Sequence, residues 1–201
     1  MSIVKLKKGY NLRLNGAILN DDIINVSCKE FAIIPDDYHG ISPRLDIKEG
    51  MNVSQGDILF HDRQNTEIVV TSPVSGVIKE VRRGERRKIE AIIIEKIQGG
   101  VSLPKKFNVA GNVKSILLES GLWAYLRQRP YDVVPSPNVV PRDIFITAFD
   151  SAPLAPNLIY LIKEKEQYLQ RGIDVLASLT DGRVYVGVNS GMTLNLKNAV
   201  V

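Results

Sequence analysis

Cysteine is almost missing from this chain. Its 201 residues include one, Cys28, so an intramolecular disulfide is excluded. A cysteine-ligated iron–sulfur cluster held by this chain alone is excluded as well, since such clusters take about four thiolates. Histidine is nearly as scarce. His39 and His61 stand apart, without the spacing of a metal site. Long apolar runs are absent: the most apolar stretch, residues 145–162, is broken by Asp150, Pro153 and Pro156, whereas a membrane-spanning helix needs about 20 mostly apolar residues. The first ten residues, MSIVKLKKGY, carry charge but none of the apolar core of a secretory signal. Aromatic residues make up 6% of the chain, and no aromatic-rich basic motif points to nucleic acid.

What is present fits an ordinary folded protein. Hydrophobic residues account for 44% and charged residues for 24%, with a formal net charge of +4. The excess is compatible with contact to a membrane surface or a partner. The lone thiol fits a reducing, cytoplasmic setting.

Residues 43–100 read as short strands punctuated by glycine. Gly50 and Gly56 sit where the chain must turn tightly or adopt positive φ, with Val53 between them facing inward. Ile58, Leu59 and Phe60 start a strand. The second half repeats the pattern: a proline turn at Thr71-Ser72-Pro73 leads into Val77 and Ile78. Gly84 is expected to turn a hairpin that residues 89–94 close. Two similar halves predict a small β-sandwich with internal pseudo-symmetry. Residues 3–34 read as extra strands and connections covering it.

The pattern G-x-x-V-x-x-G-D-x-L followed by P-V-S-G-V-I resembles the barrel-sandwich hybrid fold of biotinyl and lipoyl carrier domains. Carriers are acylated on a lysine at the hairpin between the halves. Here that connection, residues 61–67, is His-Asp-Arg-Gln-Asn-Thr-Glu. It offers no ε-amine, and the Arg63 guanidinium stays protonated and non-nucleophilic. The expectation is the carrier fold without carrier chemistry.

The densest charge lies in residues 79–88, KEVRRGERRK. Arg82, Arg83, Arg86, Arg87 and Lys88 surround the expected hairpin tip. The plain reading is a solvated turn. The functional one is contact with anionic lipid headgroups or an acidic partner surface.

A linker at residues 98–106 separates a different pattern. Asn112 is expected to cap a helix carrying Val113, Ile116 and Leu117, interrupted near Gly121 and ended by Pro130. Four prolines, Pro130, Pro135, Pro137 and Pro141, stiffen an extended connection over residues 130–141. Residues 144–149 read as a buried strand. A helix from Pro156 to about Gln170 is capped by Gly172, a short helix comes next at 173–179, and residues 184–188 form a strand. Strand, helix, strand predicts a parallel pair with a right-handed crossover. Ligands favour the carboxyl ends of such strands, here residues 150–153 and 189–191. No G-x-G-x-x-G or phosphate-loop signature accompanies them, so plain connections are the simpler reading.

Six segments in order carry a wider resemblance: KKGYNLRLNG, VSQGDILF, SPVSGVI, LLESGLWAYLRQRPY, IFITAFDSAPLAPN and LTDGRVYVGV. Together they resemble the N-terminal part of the A-subunit family of the sodium-translocating NADH:quinone oxidoreductases. The resemblance implies an α+β protein of two domains. Residues 1–100 would be N-terminal strands plus a barrel-sandwich hybrid. Residues 101–201 would begin an α/β domain similar to the flavin subunit of complex I, cut short at 201. It implies a peripheral subunit on the cytoplasmic face of the bacterial inner membrane, with no catalytic, cofactor or metal site in this chain. Flavins and the iron–sulfur cluster would sit in other subunits and quinone would be bound in the full complex. Its partners would be the other subunits, chiefly a membrane subunit, and no nucleic acid. The relatives' glycine-rich nucleotide loop would fall near Gly121, where Trp123 and Tyr125 bring bulk instead. The alternatives are a component like the C-subunit of the Rnf electron-transport complex and a non-acylated carrier-like interaction domain. No nucleophile–base pair supports an independent hydrolase or transferase.

Overall fold

The computed structural model describes residues 12, 14–15, 26–97, 112–155, 158–162, 165–189 and 194–201. They fall into two compact units, one over Val26–Val140 and one that includes Pro141–Val201. The expected linker at 98–106 and most of the N-terminal segment lie outside the described residues.

The first unit packs a four-stranded antiparallel sheet on a three-stranded one. In chain order the strands are β1 (Glu30–Ile33), β2 (Pro43–Leu45), β3 (Asn52–Val53), β4 (Ile58–Asp62), β5 (Val69–Thr71), β6 (Gly76–Arg83) and β7 (Ile89–Lys96). The sheet orders are β1-β7-β6-β3 and β2-β4-β5. β-Branched residues fill the long hairpin β6–β7, as a pleated, half-buried surface favours. Ile78, Ile92 and Ile94 from one sheet, with Leu59 and Phe60 from the other, are fully buried. Each such side chain contributes about 1.5–3 kcal/mol of burial.

The two halves exchange partners, since β3 pairs with β6 and β4 with β5. Reciprocal backbone bonds stitch them together. Gly50 N donates to Ile78 O at 2.8 Å and Ile78 N to Met51 O at 2.9 Å. Gly56 N donates to Ser72 O at 2.9 Å and Ser72 N to Asp57 O at 2.8 Å. Gly50 and Gly56 take φ of 79° and 93°, as their positions demanded. Val53 faces the core at 5% exposure. The barrel-sandwich expectation therefore holds strand by strand.

The same unit extends beyond the sandwich. Asn112 caps helix α1 (Val113–Glu119), its side chain accepting from Lys114 N at 3.0 Å. α1 ends at Gly121, which has φ 76°, and a 3-10 turn over Leu122–Tyr125 comes next. Pro130 therefore plays no part in ending the helix. The Thr71 hydroxyl of β5 donates to Ser120 O at 3.2 Å, so this segment lies against the sandwich.

In the second unit β8 (Ile144–Thr147) pairs in parallel with β9 (Val184–Gly187), as the pattern predicted. Val200 takes a third parallel position, with Val186 N donating to Val200 O at 2.8 Å. Ala148, Ile173, Val184 and Val186 form the core, with Ile144, Ile146 and Leu169 against it. Among the described residues only one face of β8 is covered. Phe145 stands 70% exposed, stacked on Tyr185 at 5.1 Å, which corrects the reading of a buried strand: the period-2 alternation outweighs the apolar run.

The connecting helices also differ from expectation. α2 covers Leu158–Ile162 and α3 covers Glu166–Ala177, so Gly172 lies inside α3 instead of capping a helix. Leu169 and Ile173, four apart, keep one face against the sheet and carry the helix through the glycine. Gly172 is exposed, and a Cβ there would meet nothing within 4 Å. Gly172→Ala should therefore stabilise this unit by about 0.5–1 kcal/mol. The measurement is a melting curve followed by circular dichroism. An unchanged or lower midpoint would contradict the helical placement.

Candidate functional site

The five basic residues singled out in the sequence meet at the outer end of the β6–β7 hairpin, and the structure sorts them by partner. Arg82 is engaged: its Nε donates to Glu80 Oε1 at 3.1 Å and its Nη2 to Oε2 at 3.2 Å. The Arg82 hydrogen bond holds the Glu80 carboxyl below its ordinary value, and Glu80 raises Arg82 in return. Lys88 Nζ meets Asp36 Oδ2 at 2.5 Å. Arg83 Nη1 donates to the backbone oxygen of Arg87 at 3.3 Å. Among the described residues, Arg83, Arg86 and Arg87 pair with no carboxylate.

The turn is not made at Gly84. That residue is extended, with φ −95° and ψ −154°, and its missing Cβ leaves room for the Glu90 carboxylate. The chain reverses at Arg86 and Arg87, which have φ of 52° and 60°. Lys88 N closes the turn on Glu85 O at 3.0 Å. Positive φ at both central positions with this bond is the geometry of a type I′ turn, normally the place of Asn-Gly. Sequence reading followed the glycine and missed the arginines, because nothing in their side chains signals a left-handed backbone.

The connection at residues 61–67 is the β4–β5 turn. Asp62, 3% exposed, accepts from Ser42 N at 2.8 Å and Asn65 N at 3.0 Å, so its carboxylate fastens the loop. His61 Nδ1 lies 2.7 Å from Asp46 Oδ2, and His39 Nδ1 lies 3.7 Å from Asp132 Oδ2. Among the described residues no group of three or more His, Cys, Asp or Glu is arranged to hold a metal ion.

Around Gly121 the chain is filled by side chains. Trp123 is 4% exposed and its indole N–H donates to Pro135 O at 2.8 Å. Ala124 is fully buried. The Tyr125 ring packs edge-on against Tyr38 at 5.7 Å, with the two hydroxyls 3.3 Å apart. Burial, followed by the bond to Tyr125, raises the Tyr38 phenol well above its ordinary value.

In the second unit, Asp150 accepts from Ala152 N at 2.8 Å, a local turn bond. Ser190 and Gly191 of the other carboxyl-end loop lie outside the described residues. A shallow cleft of about 430 Å³ between Ala177, Arg183, Asn198 and Val200 opens at the amino end of β9. That is the end of the sheet opposite to the one where α/β folds bind ligands.

Among known families, the NqrA N-terminal barrel-sandwich hybrid domain matches residues 4–97 and the NqrA second alpha/beta domain matches residues 109–200. The chain is 34% identical over 208 residues to the A-subunit of the Na(+)-translocating NADH-quinone reductase of Neisseria meningitidis serogroup A, covering 98% of this chain and 46% of that protein. It is 35% identical over 204 residues to the same-named protein of Photorhabdus laumondii, covering 98% and 45%. For that of Yersinia pseudotuberculosis the identity is 34% over 192 residues, covering 92% and 43%. The chain thus spans a little under half the length of these relatives.

Proposed function

Because the chain belongs to the A-subunit family, NqrA, of the Na(+)-translocating NADH-quinone reductases, we propose that it acts as a cofactor-free subunit of such a pump. It contributes to assembly and to the quinone-reducing end, while the whole complex couples NADH oxidation to sodium export. The observation that carries this reading is the match of both NqrA domains, in order, over residues 4–97 and 109–200. The chemistry of the chain supports it: a carrier-like fold whose hairpin at 61–67 lacks a lysine, and one cysteine. Among the described residues no helix is long and apolar enough to cross a membrane. In this reading the protein is held at the cytoplasmic face by contacts to partner subunits, chiefly a membrane subunit. The Rnf alternative is not favoured, since the relatives found are NqrA proteins.

The test uses the full-length protein in cells with or without the membrane subunits of the complex. Contacts that bury apolar surface resist salt, whereas exposed charge pairs are screened over about 8 Å. Membrane association surviving high salt is expected only when those subunits are present, together with restored sodium-stimulated NADH:quinone reductase activity. Association without the partners, or no activity with them, would overturn the proposal.

A further inference from the structure

The β6–β7 hairpin ends in a type I′ turn whose two left-handed positions are both arginine. A left-handed backbone strains a residue that carries a Cβ and leaves glycine unstrained. Two such positions side by side, Arg86 and Arg87, are a concentrated local strain in an exposed turn. Neither side chain offsets it: among the described residues neither guanidinium meets a carboxylate, and neither residue is buried. The other cations of the hairpin are already engaged, Arg82 by Glu80, Lys88 by Asp36 and Arg83 by a backbone carbonyl.

We infer that the Arg86–Arg87 turn is a binding element for carboxylate side chains on the surface of another protein. The inference rests on the proposed function for the identity of that protein, another subunit of the complex. Three observations favour a protein carboxylate over a lipid headgroup. Glu80, Glu85, Glu90 and Asp36 stand among the five cations, which leaves little net charge, whereas anionic membranes are held by clusters of about 4–8 unopposed basic residues. No large apolar side chain is exposed anywhere on β6, β7 or the turn, so nothing would insert into a bilayer. Finally, the turn fixes the backbone beneath two planar, fork-shaped donors. Such donors match carboxylates bidentately in a defined register, and a diffuse lipid surface gains nothing from that register.

The test compares the full-length wild-type protein with R86N/R87G and R86K/R87K. Three targets are used: membranes containing the other subunits of the complex, membranes lacking them, and vesicles of phosphatidylglycerol and phosphatidylethanolamine. The Asn-Gly pair suits the turn, so R86N/R87G should melt higher than wild type and yet bind subunit-containing membranes about tenfold or more weakly. R86K/R87K keeps the charge and supplies amines. With a zero-length carbodiimide it should cross-link through position 86 or 87 to an Asp or Glu of a partner subunit, while wild type carries no amine at either position and should show no cross-link there. Vesicle binding should be negligible for all three proteins. If wild type and R86N/R87G bind the subunits equally, the inference falls and the proposed function stands. Equal loss of vesicle and subunit binding in R86N/R87G, or the absence of any cross-link to a partner carboxylate, also overturns it. If wild type fails to bind subunit-containing membranes at all, the proposed function falls and takes this inference with it.

Discussion

Replacing Trp123 with alanine should destabilise the Val26–Val140 unit by about 3–5 kcal/mol, enough to leave much of it unfolded at 37 °C. The chain has one tryptophan, and it is 4% exposed with its N–H on Pro135 O at 2.8 Å. Alanine removes the indole, leaves a cavity beside Ala124, and strips the Pro135 carbonyl of its donor. Trp123→Phe separates these effects: it keeps most of the ring volume and loses the hydrogen bond with a smaller part of the packing, so it should cost about 1–3 kcal/mol. Denaturant titration followed by far-ultraviolet circular dichroism gives both values, and a Trp123→Ala protein as stable as wild type would sink the argument. The outcome also bears on function, because the expectation from sequence is that the glycine-rich loop of nucleotide-binding relatives would fall near Gly121. A phosphate loop needs open backbone N–H groups and room for the ligand to approach. Beside Gly121 the Trp123 indole is buried and hydrogen-bonded to Pro135 O. A Trp123→Ala variant that stayed folded and bound flavin mononucleotide stoichiometrically would mean the indole merely plugs a working site.

The parts of this fold that were legible in the sequence are those whose cause is local. Gly50 and Gly56 announce themselves because only glycine tolerates their φ cheaply, and with Val53 between them they mark the sandwich. Asn112 announces a helix start because its side chain satisfies an orphan N–H. What was not legible depends on residues far apart. Gly172 looked like a helix end. Packing of Leu169 and Ile173 against the sheet carries α3 past it, and tertiary burial outweighs a propensity penalty of about 1 kcal/mol. The run 144–149 looked like a buried strand, yet in the strand that forms, Ile144–Thr147, Phe145 and Thr147 face outward. The hairpin tip misled most. Gly84 attracts the turn by composition, but the reversal occurs at Arg86 and Arg87, where local preference argues against it. Departures from local rule without an evident structural gain concentrate at functional positions. The candidate site was therefore visible as charge and invisible as geometry.

Gly121→Ala should destabilise the same unit by about 2–4 kcal/mol, through two separable causes. The first is conformational: φ is 76°, and an L residue pays about 1–2 kcal/mol there. The second is steric. A Cβ at Gly121 would stand 2.9 Å from Thr71 Oγ1, 3.0 Å from Thr71 Cγ2 and 3.3 Å from Thr71 N. The side-chain atoms can yield only by giving up the Thr71 hydroxyl bond to Ser120 O. The backbone nitrogen belongs to β5 and cannot move without disturbing the sheet. A double-mutant cycle with Thr71→Ala separates the causes, since that change removes Oγ1 and Cγ2 and leaves the φ unaltered. In the Thr71→Ala background, Gly121→Ala should cost only its conformational part plus whatever the backbone contact demands. The cycle should then show a coupling of at least about 0.5 kcal/mol, the range for residues in contact. Additive losses would mean that α1 and the 3-10 turn after it do not lean on β5. In that case residues 112–140 would belong with the α/β unit that comes after them, and not with the sandwich on which they rest.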